Sequence, residues 1–190
     1  MTLIQSIEKE VEEKCKSENN IFGYGIWTHH ILSVVKYSKI LATKLNADLE
    51  IVEISALLHD YASIKDKNMY EDHHIFSGEE AEKILKQFNY PQNKINHIKE
   101  CIYSHRGSIN KEKISKEAVC VADADAMAHI DNVPSLLYLA YCNHNLSIDE
   151  GSKWVSEKLK RSWSKLSDEA KEIIEKKYNN AQEILIINNF

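Results

Sequence analysis

Residues 54–62, Ile54-Ser55-Ala56-Leu57-Leu58-His59-Asp60-Tyr61-Ala62, are the stretch that decides how this chain folds. Val52, Ala56 and His59 share one helical face, and Ser55 lies one turn behind His59, where small side chains leave room beside the imidazole. The spacing predicts a helix over roughly residues 49–58. Apolar residues three and four apart recur from one end of the chain to the other, and five Gly and two Pro leave little punctuation for the turns of an all-β protein. The expected fold class is all-α, a single compact helical bundle.

Upstream, Leu3, Ile4, Ile7 and Val11 mark a first helix that stops near Ser17-Glu18-Asn19-Asn20. The loop Phe22-Gly23-Tyr24-Gly25 follows, and Thr28 is placed to cap a second helix that runs to about Leu45. Asn46-Ala47-Asp48 turns the chain into the third. Downstream, residues 63–73 form a polar stretch, Ser77 begins a helix through Leu85, and Pro91 starts another that reaches about His105 before Arg106-Gly107-Ser108 breaks it. Residues 115–130 read as a buried helix rich in Ala and Val, with a strand conceivable for 118–122. Pro134 opens the next helix, and Ser147-Ile148-Asp149-Glu150 has the form of a capping box. A last helix runs from about Ser167 into the apolar residues 184–187, a core end or a dimer contact. With no repeat, low-complexity tract or linker, the expectation is one domain over residues 1–190. Its motif-bearing core covers about 27–131, and helices over 134–190 pack on it.

The 190 residues carry 24 Lys+Arg against 29 Asp+Glu, a formal charge of −5. That balance lacks the basic excess that neutralising a phosphate backbone demands, so nucleic acid is not expected as a partner, whereas small phosphorylated ligands fit. No run of about 18 apolar residues is present to span a bilayer, and the opening residues MTLIQSIEKEVEEK are charged where a secretory signal is apolar. The expected location is cytoplasmic. Cys15, Cys101, Cys120 and Cys142 form no C-x-x-C pair, which points to reduced, mostly buried thiols instead of a disulfide framework or zinc ribbon.

The oddity of the composition is nine His, several inside apolar stretches. His30 lies on a face with Val34, Tyr37 and Leu41, so its ring points inward; taken alone, such a His is commonly a core residue bonded to a carbonyl. His59 and His105 also point inward, the latter continuing the stripe Ile95, Ile98 and Ile102. Asp123-Ala124-Asp125 puts two carboxylates in the apolar context AVCVADADAMAHI, and a buried carboxylate requires a cation, an Arg or a metal. No Arg lies nearby in sequence. Inward His and Asp on separate helices satisfy one another around a divalent ion, with imidazole and carboxylate suiting Mn, Fe, Co, Ni or Zn. Helical periodicity leaves the choice between Asp123 and Asp125 open.

His30, then His59-Asp60 in LLHD, then a distant Asp in ADADAM, resemble the HD-domain metal-dependent phosphohydrolase superfamily. The resemblance covers about residues 27–131 and is most specific in ISALLHDYA preceded by the H-x-x-x-V of His30 and Val34. It implies a helical bundle in which His30, His59, Asp60 and Asp125 hold a metal. Asp125 is preferred because Ala124-Asp125-Ala126-Met127 matches the family's Ala-Asp-x-hydrophobic pattern. Asp123 then orients a ligand, and with Asp60 it is a catalytic candidate. His74, ahead of Ser77-Gly78, and His105 look like the additional His of the dinuclear H-HD-H-H-D branch, where they serve a second metal. His29, His97, His129 and His144 are left as structural or exposed.

The resemblance implies hydrolysis of a phosphoester or phosphoanhydride by water activated at one or two divalent ions, with Asp60 able to bridge them. Lys65 and Arg106 are the basic residues expected to hold substrate phosphates. Tyr61-Ala62-Ser63-Ile64 after the His-Asp pair departs from the (p)ppGpp hydrolases and from the deoxynucleoside 5′-monophosphatases. It looks more like enzymes that cleave dinucleoside polyphosphates, although AMAHIDNVPS departs from their pattern. The expected substrate is a small phosphorylated molecule, a nucleotide by preference, and a homodimer is possible. The alternatives are an HD-type di-iron oxygenase and a metal-binding HD module without catalysis.

Overall fold

Helix α3 (Leu49–Leu58) is buried on nearly every side, with Ile51, Val52, Ile54, Ser55, Ala56, Leu57 and Leu58 all in the interior. A helix apolar all round belongs at the centre of a bundle. In the computed structural model, which describes residues 1–106 and 114–185, α3 packs against α1 (Leu3–Cys15), α2 (Leu32–Leu45), α6 (Gln92–Ser104) and α7 (Lys116–Asp131). The short α4 (Tyr61–Lys65) and then α5 (His73–Gln87) follow α3, and α5 pairs with α6. Helices α8 (Val133–Tyr138), α9 (Ile148–Lys165) and α10 (Asp168–Leu185) complete the chain, with α9 and α10 packed on α7. The protein is all-α, with no strand among the described residues; none of their helices is long and apolar enough to cross a membrane.

Local chemistry sets most boundaries. Asn46 ends α2 in the left-handed conformation (φ 51°), and Asp48 then caps α3 by accepting from the amides of Glu50 (3.0 Å) and Ile51 (3.2 Å). Ser115 caps α7, and the Ser147–Glu150 capping box opens α9. The strand considered for 118–122 is the first part of α7.

Two expected starts are different in the structure. Thr28 does not cap α2. It lies inside a π-helical turn, Trp27–Ile31, that leads into α2, and its hydroxyl donates to the Gly25 carbonyl at 3.4 Å. Nor does Ser77 begin α5, which starts four residues earlier at His73. Ser77 Oγ instead accepts from the Ala62 amide at 3.0 Å, satisfying an orphan N–H of α4 directly after the His59-Asp60 pair. Beside it Gly78 lies directly against the Tyr103 ring, where a Cβ would displace that side chain. The polar stretch 63–73 holds the end of α4 and a 3-10 turn, Lys67–Met69. Leu185 is buried and Ile184 is 82% exposed. Gly107, Ser108, Ile186 and Ile187, part of two sequence expectations, lie outside the described residues.

Candidate metal centre

Asp60 stands between α3 and α4 with φ −108° and ψ 10°, in the bridge region where turn and active-site residues are found. Its two carboxylate oxygens face different groups of imidazoles. Oδ2 lies 3.3 Å from His30 Nε2 and 3.4 Å from His59 Nε2. Oδ1 lies 3.4 Å from His73 Nε2 and 3.8 Å from His105 Nε2. On the first side Asp125 Oδ1 joins, 3.4 Å from His30 Nε2 and 3.9 Å from His59 Nε2, with those two nitrogens 3.2 Å apart. The residues come from five places: the π turn, the end of α3, the first residue of α5, the residue after α6, and α7.

Three of the rings are oriented by backbone carbonyls. Nδ1 of His59, His73 and His105 each lies within hydrogen-bond reach of the carbonyl three residues back, that of Ala56 (2.8 Å), Tyr70 (2.7 Å) and Ile102 (2.5 Å). An Nδ1–H donated there turns the Nε2 lone pair inward, the arrangement a metal-ligating imidazole needs.

Charge is concentrated at the same place. Burial alone pushes the His59 pKa down, but the adjacent Asp60 and Asp125 carboxylates outweigh it and lift the value to about 9. Burial opposes ionisation of Asp60, yet the charge on His59 and hydrogen bonds from His30 and His59 hold it well below the usual carboxylate range. Asp125 is likewise held low, against burial, by His129, His30 and His59. Burial, helped by the charge on His59, lowers His105 to about 4, so this ring is neutral at physiological pH.

This donor set fits a divalent cation. Ligand atoms about 2.1 Å from a common ion lie roughly 3.0–3.4 Å from one another, close to the spacings around His30 and Asp60. His30, His59 and Asp125 offer donor atoms that all lie within 4.8 Å of one another, and so do His59, Asp60 and His105. His30, His59, Asp60 and Asp125 would hold one ion; the Oδ1 side of Asp60, with His73 and His105, would hold a second.

Of the sequence-derived site residues, the structure brings together His30, His59, Asp60, Asp125 and His105. It does not bring in His74 or Asp123. His74 is buried with Nδ1 3.4 Å from an Arg106 guanidinium nitrogen, and its neighbour His73 takes the place by Asp60. The reason is the start of α5, which sets its first residue, His73, beside Asp60 and the next, His74, against Arg106. Asp123 is buried and accepts from the Ser167 amide at 3.2 Å. Residues two apart on a helix do not face the same way, so Asp123 serves the start of α10 while Asp125 serves the centre. Lys65 pairs with Glu80 at 2.7 Å. Arg106 donates to the Glu71 carbonyl and lies 3.7 Å from Asp72. Both basic side chains are engaged with the protein rather than the centre.

Besides His73, two residues went unread in the sequence. His129 stacks on His30 with ring centroids 5.2 Å apart and lies 4.0 Å from Asp125 Oδ1, one helical turn away; burial, aided by the charge of Lys158, holds its pKa well below the ordinary imidazole value. Lys158 on α9 lines one cavity together with His30, Asp60 and His129. Its signal was the stripe Gly151, Val155, Lys158, Ser162, spaced i, i+4, i+7 and i+11, of which the other three are buried.

Known proteins resemble this chain in sequence and in fold. The family model described as "HD domain" matches residues 27–130, more than half of the chain. A ribonuclease Y from Fusobacterium nucleatum is 28% identical over 107 residues, 56% of this chain; the chain spans 19% of that relative's length. Among solved structures, a Listeria innocua protein superposes with a TM-score of 0.72 at 21% identity, covering 96% of this chain and 91% of its own. A protein from an uncultured Thermotogales bacterium, described as an HD superfamily hydrolase, superposes with a TM-score of 0.65 at 19% identity, covering 95% and 88%. Both superpositions speak to the fold.

Proposed function

We infer, since the chain belongs to the HD-domain family, that it is a metal-dependent phosphohydrolase acting on a small phosphorylated molecule, with nucleotides the preferred class. The observation that carries this reading is that the donor cluster opens onto a cavity of about 600 Å³, lined in part by His30, Asp60 and His129. Closed four-ligand sites serve stability; a site open to a ligand-sized cavity serves chemistry. A divalent cation held there supplies Lewis acidity toward water and a phosphoryl oxygen.

The chain's own residues do the rest. Asp60 and Asp125 bring negative charge to the centre, and the carbonyls beside Nδ1 of His59, His73 and His105 keep their Nε2 atoms directed inward. Phe22, Tyr24, Tyr70 and Tyr138 give the cavity flat aromatic walls on which a base or similar ring can stack. In the reaction a water oxygen joins phosphorus and the P–O bond to the leaving group breaks. One proton of the water passes to the leaving oxygen. The formal charge of −5 favours a small substrate over a nucleic-acid polymer, the one point at which the likeness to a ribonuclease is not carried over.

The test is turnover of a panel of phosphomonoesters, phosphodiesters and nucleotides by protein purified without chelator and reloaded with Mn, Co, Ni, Zn or Fe. Hydrolysis that a chelator stops and that His30→Ala abolishes together with metal binding is the expected result. No turnover of any member with any metal, or metal-dependent oxygen consumption in its place, overturns the reading.

A further inference from the structure

We propose that Lys158 is the residue that binds the charged phosphoryl group of the substrate, a contact supplied by α9 from outside the part of the chain matched by the HD-domain family. The proposal rests on the phosphohydrolase reading above and names the side chain that recognises the anion.

Three observations support it. The first is position. Gly151, Val155, Ser156, Leu159 and Ser162 are the buried residues of α9, and Lys158 lies in line with Gly151, Val155 and Ser162 at one side of that face, so the helix is anchored with this lysine turned inward. Gly151 lies directly against the Tyr141 ring, where a Cβ would displace that side chain, so α9 approaches that neighbour closely. The second is surroundings. Lys158 lines the same cavity as His30, Asp60 and His129, and it is the only Lys or Arg in that lining among the described residues. The basic residues closer to the sequence motif, Lys65 and Arg106, are already engaged with Glu80, Glu71 and Asp72.

The third is the want of a partner. Lys158 makes no hydrogen bond or ion pair with any described residue, whereas Lys39, Lys44, Lys65, Lys94 and Lys99 all pair with carboxylates. An ammonium partly withdrawn from water with no counter-charge is unfavourable unless a ligand provides one. The carboxylates nearest Lys158, Asp125 and the cavity-lining Asp60, are engaged by the imidazoles and would be neutralised by a cation. With that cation in place the floor of the cavity is no longer negative, and Lys158 adds a further positive charge, so the missing partner is an anion. A phosphoryl oxygen suits a point-charge donor of this kind.

The experiment uses the full chain, metal-loaded, as wild type and as Lys158→Met and Lys158→Arg. The probe is inorganic phosphate, read by calorimetry and by competitive inhibition of the best phosphomonoester. For Lys158→Met the expected results are unchanged metal content, phosphate affinity and kcat/KM each lower by at least about tenfold with KM carrying much of the loss, and a higher melting temperature in the absence of phosphate. Lys158→Arg is expected to keep phosphate binding within a few-fold of wild type. Should wild type and Lys158→Met bind phosphate equally while turnover persists, this proposal fails and the phosphohydrolase reading stands. If metal-loaded wild type neither binds phosphate nor hydrolyses any phosphoester, the reading itself fails and the proposal goes with it. The arginine variant separates lost charge from a damaged fold, because loss of phosphate binding in Lys158→Met that Lys158→Arg does not restore also counts against the assignment.

Discussion

His73 Nε2 lies 3.4 Å from Asp60 Oδ1, on the opposite side of that carboxylate from His30, whose Nε2 lies 3.3 Å from Oδ2. One carboxylate thereby has an imidazole at each oxygen, the geometry of a group that two cations can share. Asp60 is the joint between two halves of the centre, and His73 is the first residue of the helix that supplies the outer half.

Removing the joint should empty both halves. Asp60→Ala leaves His30, His59, His73 and His105 converging on a space with Asp125 as its remaining carboxylate, and metal affinity is expected to fall by well over the roughly 10–100-fold typical of losing a supporting contact. Metal analysis of protein purified without chelator checks it. Ordinary metal content in the variant contradicts the role given to Asp60.

The pair His73-His74 separates two assignments. His73→Ala should lower occupancy of the outer position while the ion held by His30, His59, Asp60 and Asp125 remains, so the ratio of metal to protein falls without reaching zero. His74→Ala should keep the metal and cost stability of order 1–3 kcal/mol, through loss of a buried ring and its contacts. Metal stoichiometry and urea melts of both variants decide the matter, and the reverse pattern restores His74 to the centre.

How much of this could be read beforehand depends on helical phase. His30, His59 and His105 lie on continuous apolar stripes whose phase neighbouring residues fix, and the His-Asp pair closes the most apolar helix of the fold. His73 and His74 sit at a helix start, where no preceding turn sets the phase. Ser77 misleads there, since its hydroxyl serves α4 across the fold rather than its own helix. His129 and Lys158 had periodicity in their favour, but a His near a helix end and a Lys on a charged helix are ordinarily solvated, and only the cavity reveals that they are not. The π turn at Trp27–Ile31 leaves no mark in the sequence that distinguishes it from a capped helix start.

Asp123 should prove structural. Its Oδ2 accepts from the Ser167 amide as α10 begins, so Asp123→Ala is expected to lower stability by about 1–2 kcal/mol, the usual cost of a lost cap, with the orphaned amide adding to it. Metal content and kcat should remain those of the wild type. A large loss of kcat in well-folded Asp123→Ala, with metal retained, returns this residue to the catalytic machinery.

The metal-free protein should grow less stable as pH rises from about 6.5 to 9. His59 has a folded value of about 9 against an ordinary value near 6.5. A group raised on folding contributes stability that is fully present below its unfolded value and is lost as pH climbs through its folded one. The size of the effect is up to about 3 kcal/mol across that window. His105 and His129 have lowered values, so they are neutral in the folded state throughout the window and their opposite contribution is confined to more acid pH. Asp60 and Asp125, lowered as well, lose their contribution only as pH falls below about 4. The three buried thiols, raised to about 12, add to the loss only near pH 9 and beyond. Urea melts between pH 6.5 and 8.5 in chelator should therefore show a steady decline that His59→Gln lacks. With a divalent ion bound, the Nε2 lone pair is no longer open to a proton and the decline should disappear, while metal affinity itself rises with pH over the same range. A flat profile for the metal-free wild type contradicts a charged His59 between the two carboxylates.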